Sequence, residues 1–394
     1  MKTTFGQLAA AGVLEYSDGY RTKKDELAEN GFRILRVADV HDGWIGSDGQ
    51  DFVDAVYESK IGQKFAREGD ILLTTKGTIG RIAVVPDLAG EQLVYSPQLC
   101  FFRVRDLGVL DAAYLRYWLA SPFATRQIGS LSSSTDMAPY LSLRDIRTLV
   151  VDLPGLPAQQ AIGEVLGALD DKIAANRDVS IRAEELAVAV ASKSPQLVRL
   201  GEVARQHRSS VSPMKLGTET VLHFSLPSFD EGRATLEPAN GIKSAKNEIE
   251  NAAVLVSKLN PRIPRLWPVD TAASGVRRLA STEFVVLESS ELGVGELWAA
   301  ILQGDVFGQL QSLVGGTSNS HQRVLPQDIL DSVVPDPRQL KQEERRLLLS
   351  LCRLKNQLVE ERDTLARTRD ELLPLLMNGR ITVKDAERAA EDVL

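Results

Sequence analysis

Two apolar runs of the chain each end in a cluster of hydroxyl, amide and basic side chains. Such groups donate hydrogen bonds to phosphate oxygens, and basic or amide side chains also bind the edges of bases. The cluster at the end of the run GDILLTT comprises Thr74, Thr75, Lys76, Thr78 and Arg81. The cluster at the end of the run AAVLVSK comprises Ser257, Lys258, Asn260, Arg262 and Arg265. These residue types predict contacts with a nucleic acid, although solvated turns would have a similar composition.

A second polar segment follows in each half of the chain, before the related sequences RDIRTLVV and QDILDSVV, which we predict to be strands. In the first half it comprises Ser132, Ser133, Ser134 and Thr135. Its counterpart in the second half comprises Thr317, Ser318, Asn319, His321, Gln322 and Arg323. Because both halves carry donors at both places, we predict that these segments bind the same ligand as the first clusters. Arg36, in the predicted strand FRILRV, is a weaker candidate.

The sequence contains no convincing catalytic or metal-binding pattern. Its four histidines form no HExxH or HxH motif, and Cys100 and Cys352 stand too far apart to form a CxxC pair. A P-loop and a GxSxG motif are also missing. We therefore expect two reduced thiols, and no catalytic site, metal or cofactor on this chain.

The composition is that of a globular protein with two to three domains, since 43% of its 394 residues are apolar and 25% are charged. A net charge of −7 is unusual for a protein that binds nucleic acid. We therefore expect either a local basic face or a basic partner. The chain has no apolar run of about 18 residues, and MKTTFGQLAAAG lacks the features of a signal peptide. These observations predict a cytoplasmic protein that contacts no membrane.

A fixed offset relates the two halves of the chain. Leu255 follows Leu72 by 183 positions, and the same offset relates segment 144–151 to segment 327–334. So long a period indicates two copies of a domain, because solenoid repeats span only about 20–50 residues. Each copy contains short β-branched runs bounded by Gly, Pro and Asp, followed by a helical segment, which predicts a mixed α/β fold. We predict one domain at 1–153 and its counterpart at 196–335.

The segments that follow the two domains carry heptad patterns. We predict one helix within 154–195 and a second within 336–380, followed by a tail at 381–394. Apolar residues that recur at alternating steps of four and three are typical of a coiled-coil seam, and ordinary core helices are the alternative. We predict that the helices pair antiparallel through Ile162, Leu166, Leu169, Ile173 and Asn176 of the first and Leu347, Leu351, Leu354, Leu358 and Leu365 of the second. Their charged outer faces are either solvated or bind helices of a partner.

Four segments of the chain resemble the specificity subunits of type I restriction–modification systems: GDILLTTKGTIG, SPQLCFFRV, PAQQAIGEVLGALDDKIAANRD and ELLPLLMNGRITV. The resemblance implies two pseudo-symmetric target-recognition domains separated by a long antiparallel two-helix coiled coil. It implies that each domain recognises one half of a bipartite target in double-stranded DNA. It also implies that two methyltransferase (modification) subunits, which would hold S-adenosylmethionine, bind to the helices. A restriction subunit that translocates DNA with ATP and Mg could join them.

Taken with the missing catalytic motifs, the resemblance predicts a non-catalytic subunit that directs an adenine-specific methyltransferase and restriction complex in phage defence. Two other classes of function stay open at this point. One is a self-contained enzyme that modifies or cleaves DNA, and the other is a scaffold that binds proteins through its two domains.

Overall fold

A computed structural model describes residues 1–46, 49–132, 139–270, 275–313 and 322–394 of the chain. These residues form two compact units. Unit 1 comprises Met1–Asp171 together with Arg367–Leu394, and unit 2 comprises Lys172–Ala366. No helix of the described residues is long and apolar enough to cross a membrane.

The centre of unit 1 is a four-stranded antiparallel sheet. Its strands, in spatial order, are Leu14–Asp18, Leu99–Val104, Ile71–Thr74 and Ile82–Val84. A second four-stranded sheet contains Leu93–Tyr95, Phe32–Leu35, Phe52–Val53 and Leu27–Ala28. Two further strand pairs are Lys2–Thr4 with Val150–Asp152, and Val40–His41 with Trp44–Ile45. The apolar runs identified in the sequence therefore form the buried strands of a mixed α/β unit.

The helices of unit 1 begin and end where the sequence provides capping residues. Asp111 accepts a hydrogen bond from the backbone of Tyr114 and so caps helix Ala112–Ala120, which ends before Pro122. Pro122 then begins helix Pro122–Ser132, because the first helical position tolerates the missing N–H of proline. The remaining short helices of this unit are Phe5–Ala10, Glu58–Ile61, Leu143–Ile146 and Val383–Glu391. The last of these lies where the sequence predicted only a tail.

A buried ion pair joins two central strands of unit 1. Arg103 donates from Nε and Nη2 to the two carboxylate oxygens of Asp70, at 2.6 and 2.8 Å. The Tyr95 hydroxyl donates to the same carboxylate at 2.5 Å. All three side chains are buried, and burial raises the pKa of the hydroxyls of Tyr95, Tyr114 and Tyr117 well above its usual value.

Unit 2 repeats the central sheet of unit 1. Its strands, in the same spatial order, are Arg205–His207, Phe284–Glu288, Ala253–Ser257 and Leu266–Val269. Its other strands form a five-stranded sheet and a pair: Ser210–Val211, Lys246–Glu248, Arg277–Ser281, Thr220–Phe224 and Thr235–Pro238, and then Leu197–Arg199 with Val333–Pro335. Its short helices are Leu200–Val203, Leu226–Asp230, Val294–Gln303, Val306–Leu313 and Pro326–Asp331. The duplication predicted from the 183-residue offset is thus present in the fold.

Two helices of 36 residues each, Leu156–Ala191 and Gln342–Met377, follow the globular parts. Their ion pairs within unit 2 link Lys172 to Glu361, Glu184 to Lys355 and Lys193 to Glu344, at 3.3, 2.8 and 3.2 Å. Residue numbers rise along one helix while they fall along the other, so the pairing is antiparallel as predicted. Most of the predicted seam is buried, namely Ile162, Leu166, Leu169, Asn176, Leu351, Leu358 and Leu365.

The predicted seam is wrong at two positions of the second helix. Leu347 and Leu354 remain 39% and 38% exposed, whereas Leu348 and Cys352 are fully buried. The reason is a second neighbour, because Leu348 and Cys352 pack in one core cluster with the short helix Val294–Gln303 as well as with the first long helix. The buried face of the second long helix is therefore shifted by one residue from the face that pairing with the first long helix alone would bury. Ile173 is only half-buried, and it borders a small cleft.

Candidate nucleic-acid interface

In unit 1, the predicted polar cluster after strand Ile71–Thr74 meets the short segment that precedes helix Leu143–Ile146. Lys76, just after strand Ile71–Thr74, forms an isolated antiparallel bridge with Tyr140. The N–H of Leu141 donates to the carbonyl of Thr75 at 2.9 Å, and the Leu141 side chain is buried beneath the loop. The segment after the strand and the segment before helix Leu143–Ile146 thus form one continuous rim.

Unit 2 contains the same arrangement, displaced by 183 residues. Leu259 forms an isolated antiparallel bridge with Arg323, and the N–H of Val324 donates to the carbonyl of Lys258 at 3.0 Å. Val324 is buried, as Leu141 is in unit 1. The N–H of Asn260 also donates to the carbonyl of Gln322, at 2.8 Å. We call each of these bridged loop pairs a rim, defined by residues 75–78 with 139–141 in unit 1 and by residues 258–262 with 322–324 in unit 2.

Several predicted donors point outward on the two rims. Lys76 and Thr78 are exposed in unit 1, and Arg262 and Arg323 are exposed in unit 2. Lys258, Asn260 and Gln322 are half-buried. Exposed hydroxyl, ammonium and guanidinium groups at neighbouring positions can bind the phosphates and base edges of a duplex.

Other predicted donors are buried beneath the rims. Thr74, Thr75 and Ser257 are buried, and their hydroxyls bind backbone groups of the protein. Arg265 is 9% exposed and makes a two-pronged ion pair with Asp230, at 2.6 and 2.7 Å. Each of these side chains thus closes a hydrogen bond or an ion pair inside the protein, which indicates a structural role, and their binding to a ligand stays a prediction.

Arg81, Arg36 and Ser132 also bind within the protein. The guanidinium of the half-buried Arg81 donates to the carbonyl of Val40 at 3.1 Å. Strand Phe32–Leu35 ends before Arg36, whose side chain forms an ion pair with Asp51, so Arg36 is not part of the predicted strand. Ser132 ends helix Pro122–Ser132, and its hydroxyl donates to the carbonyl of Gly129 at 3.2 Å.

The remaining predicted contacts lie outside the described residues, and they are Ser133, Ser134, Thr135, Thr317, Ser318, Asn319 and His321. The segments RDI and QDI that follow were predicted to be strands. In the structure they contribute to the short helices Leu143–Ile146 and Pro326–Asp331, and the strand begins only after each helix. The local signals for these helices were Ser142 three positions before Asp145 in unit 1 and Pro326 at the first helical position in unit 2.

Sequence reasoning missed two exposed aromatic residues in unit 1. Tyr140 is 50% exposed on the rim. Trp44 is 40% exposed in the hairpin of Val40–His41 and Trp44–Ile45, where its ring stacks on that of His41 with the ring centroids 4.0 Å apart. The Gly43 N–H donates to the carbonyl of Ile82, so this hairpin packs beside the strand that leaves the rim. A short hairpin with an Asp-Gly turn was the signal for it.

A second exposed surface lies on the paired helices of unit 2. Val179 and Leu186 follow Lys172 by one and two heptads, and Leu354 and Leu347 precede Glu361 by one and two heptads. Because residues one heptad apart lie on the same face of a helix, Val179 and Leu186 continue the face of Lys172, and Leu354 and Leu347 continue the face of Glu361, to which Lys172 is ion-paired. We call these four residues the apolar flank; they remain 38–46% exposed.

Several charged side chains of the long helices form ion pairs within their own units. Asp170 binds Arg116 and Arg369, Arg345 binds Glu296, and Arg353 binds Asp270. Among the described residues, no group of three or more His, Cys, Asp and Glu side chains is arranged to hold a metal ion.

Known proteins similar to this chain point to one family. Residues 8–185 match the family model for the type I restriction modification DNA specificity domain. The type I restriction enzyme MjaVIII specificity subunit of Methanocaldococcus jannaschii is 27% identical over 169 residues, which are 42% of this chain and 39% of that protein. The EcoBI specificity subunit of Escherichia coli is 26% identical over 136 residues, which are 34% of this chain and 27% of that protein. The match thus spans less than half of each relative.

Among solved structures, the chain is similar to the crystal structure of the S subunit of a type I restriction–modification system from M. genitalium. The TM-score is 0.56 at 15% sequence identity, and the match covers 95% of each chain. At this identity the likeness concerns the fold. With the two relatives, it leads to one conclusion: residues 8–185 are similar to the DNA specificity domain of type I restriction–modification systems, and the chain as a whole is similar in fold to a specificity (S) subunit.

Proposed function

We propose that this chain selects the DNA target of a type I restriction–modification complex and leaves the chemistry to its partners. Each unit recognises one half of a bipartite double-stranded target through its rim. The observation that supports this most directly is the repetition of the bridge, Lys76 with Tyr140 and Leu259 with Arg323, at a constant offset. A binding frame present twice in one chain suits a target with two half-sites.

The exposed chemistry of the two rims differs, and we infer that the two half-sites differ too. Unit 1 presents an ammonium, a hydroxyl and a phenol, whereas unit 2 presents two guanidinium groups and an amide at or near the corresponding positions. Hydrogen-bond donors of different shape select different base edges. Net charge does not favour strong non-specific binding by the chain alone, so a basic partner would add much of the phosphate affinity.

We propose further that two methyltransferase subunits bind the long helices, one of them at the apolar flank. Several charges of the helices are satisfied by ion pairs within the protein, whereas the apolar flank exposes four aliphatic side chains, two on each helix. Helices of a partner that cover such a flank would complete a four-helix bundle. S-adenosylmethionine would then be held by the methyltransferase, and ATP and Mg by a restriction subunit if one joins. The assembly would act in the cytoplasm.

The decisive experiment is methylome sequencing of cells that express the chain with the methyltransferase encoded beside it. The expected result is methylated adenine in a split motif of two short blocks around a fixed gap. Inserting one heptad into each long helix should lengthen the gap and leave both blocks unchanged. Methylation or cleavage by the purified chain alone would favour a self-contained enzyme, and protein binding without any DNA selectivity would favour a scaffold.

A further inference from the structure

We infer that Tyr140 in unit 1 and Arg323 in unit 2 occupy one equivalent position and that the side chain there contacts a base in each half-site. This inference rests on the proposed function, and it adds which residues of each rim determine sequence specificity. The sequence did not identify Tyr140 as a candidate. It predicted Arg323 as a DNA contact without deciding whether its side chain binds a phosphate or a base.

The buried parts of the two rims are alike. Leu141 and Val324 occupy the same place, both are buried, and both donate their N–H to the facing loop. On the facing loop, the residue after the bridge has a positive φ in both units, +77° at Gly77 and +50° at Asn260. Only glycine and, less readily, asparagine adopt that conformation without strain, so the two loops turn in the same way.

In each rim, the start of the short helix that follows is fixed by the same type of hydrogen bond. In unit 1, the carboxylate of Asp145 accepts from the N–H of Ser142 at 3.0 Å. In unit 2, the carboxylate of Asp328 accepts from the N–H of Leu325 at 2.7 Å. A capped helix start fixes the backbone two residues beyond the bridge, so the position of residue 140 or 323 is set by the backbone of the rim and not by its own side chain.

The two rims differ together at two corresponding positions, the residue of the bridge and a residue on the facing strand end. Arg323 is 63% exposed and forms an ion pair with Glu283 at 2.7 Å. The carbonyl of Glu283 accepts from the N–H of Lys258, and in unit 1 the carbonyl of Gln98 accepts from the N–H of Thr75. Gln98 therefore corresponds to Glu283, and the pair of Arg and Glu in unit 2 is replaced by Tyr and Gln in unit 1. A carboxylate stands beside this position only where the position carries a positive charge.

The ion pair with Glu283 orients the guanidinium of Arg323, and a contact with a phosphate does not require such orientation. A guanidinium that donates to a carboxylate through one Nη group is held beside it and retains N–H groups on its other edge. Such an edge matches O6 and N7 of guanine, which is the commonest specific contact in the major groove. Tyr140 offers one hydroxyl, which both donates and accepts, and an aromatic ring, so it suits a different base.

The test compares variants within the complete methyltransferase complex, by methylome sequencing and by binding to a library of targets randomised one base at a time. The variants are Arg323→Gln, Tyr140→Phe and Tyr140→Ala, with Arg388→Gln on the exposed side of helix Val383–Glu391 as control. Arg323→Gln should relax preference for guanine at one position of one half-site, by about 5- to 150-fold. Tyr140→Ala should relax one position of the other half-site, and the gap should not change.

A double exchange, Tyr140→Arg with Gln98→Glu, should introduce a preference for guanine into the half-site of unit 1. The inference is overturned if Arg323→Gln and Tyr140→Ala weaken binding equally for all sequences, because that result identifies phosphate contacts. It is equally overturned if both variants keep the wild-type preference at every position. A wild-type complex without any split target would instead refute the proposed function itself. Thermal unfolding of each variant verifies that an exposed substitution leaves the fold intact.

Discussion

The apolar flank gives a quantitative prediction about partner binding. Replacing Leu347 and Leu354 by glutamine keeps the helix propensity nearly constant and removes two exposed aliphatic side chains. Each exposes about two fifths of its surface. Fully burying a leucine is worth about 1.5–3 kcal/mol, so burying the exposed part should contribute about 0.6–1.2 kcal/mol per residue. The double variant should therefore bind the methyltransferase about 8- to 60-fold more weakly.

The assay is a titration of the purified chain with its methyltransferase, followed by calorimetry or sedimentation. Ile181 provides a matched control, because it is 45% exposed on the same part of the first long helix but lies two residues from Val179 and so off the apolar flank. Ile181→Gln should bind like the wild type. Adding Val179→Gln and Leu186→Gln to the double variant should bring the total loss to about 2.5–5 kcal/mol.

Two results would refute this reasoning. One is a double variant that binds the methyltransferase as tightly as the wild type does. The other is an equal loss from Ile181→Gln, because that would indicate a general effect of reduced apolar surface on the helix. The thermal stability of unit 2 serves as a check, and it should change by only a few tenths of a kcal/mol, since the substituted side chains are already largely solvated.

Three further predictions concern the stability of the separate units, measured by chemical or thermal unfolding. Asp70→Ala should destabilise unit 1 by about 3–5 kcal/mol because it leaves Arg103 buried without its carboxylate, and adding Arg103→Met should recover much of that loss; a double variant no more stable than the single one would contradict this. Unit 1 should also lose stability above about pH 10, by about 1.4 kcal/mol per pH unit for each of its three buried tyrosines, because unfolded tyrosines release protons there while the folded ones, with raised pKa, retain them; since all seven tyrosines lie between residues 16 and 140, their absorbance reports on this unit alone, and titration of all seven near pH 10 in the folded protein would refute it. Finally, the Nδ2 of the buried Asn176 has no hydrogen-bond partner among the described residues, so Asn176→Leu should stabilise unit 2 by about 1–2 kcal/mol; a loss of stability would show that the amide is satisfied.

The sequence alone determined the duplication, the main strands and the pairing of the long helices. Each of these follows from short-range patterns: apolar runs between Gly and Pro become buried strands, and a heptad becomes a buried helix face. The constant offset then indicates that Lys76 corresponds to Leu259, whatever the fold is. Because both copies must bury the same pattern, the repeated central sheet was predictable without coordinates.

Only the tertiary structure decided which polar side chains remain outside. Thr74 and Ser257 are residue types that often occur in binding loops, yet their hydroxyls form hydrogen bonds with the backbone at the buried ends of two strands. From the sequence, Arg265 was an equally plausible DNA contact, but in the structure its guanidinium forms an ion pair with Asp230. Leu347 fits the heptad, but the short helix Val294–Gln303 gives the second long helix another neighbour and changes which face is buried. Exposure depends on what the rest of the chain places next to a residue, and local sequence does not encode that neighbour.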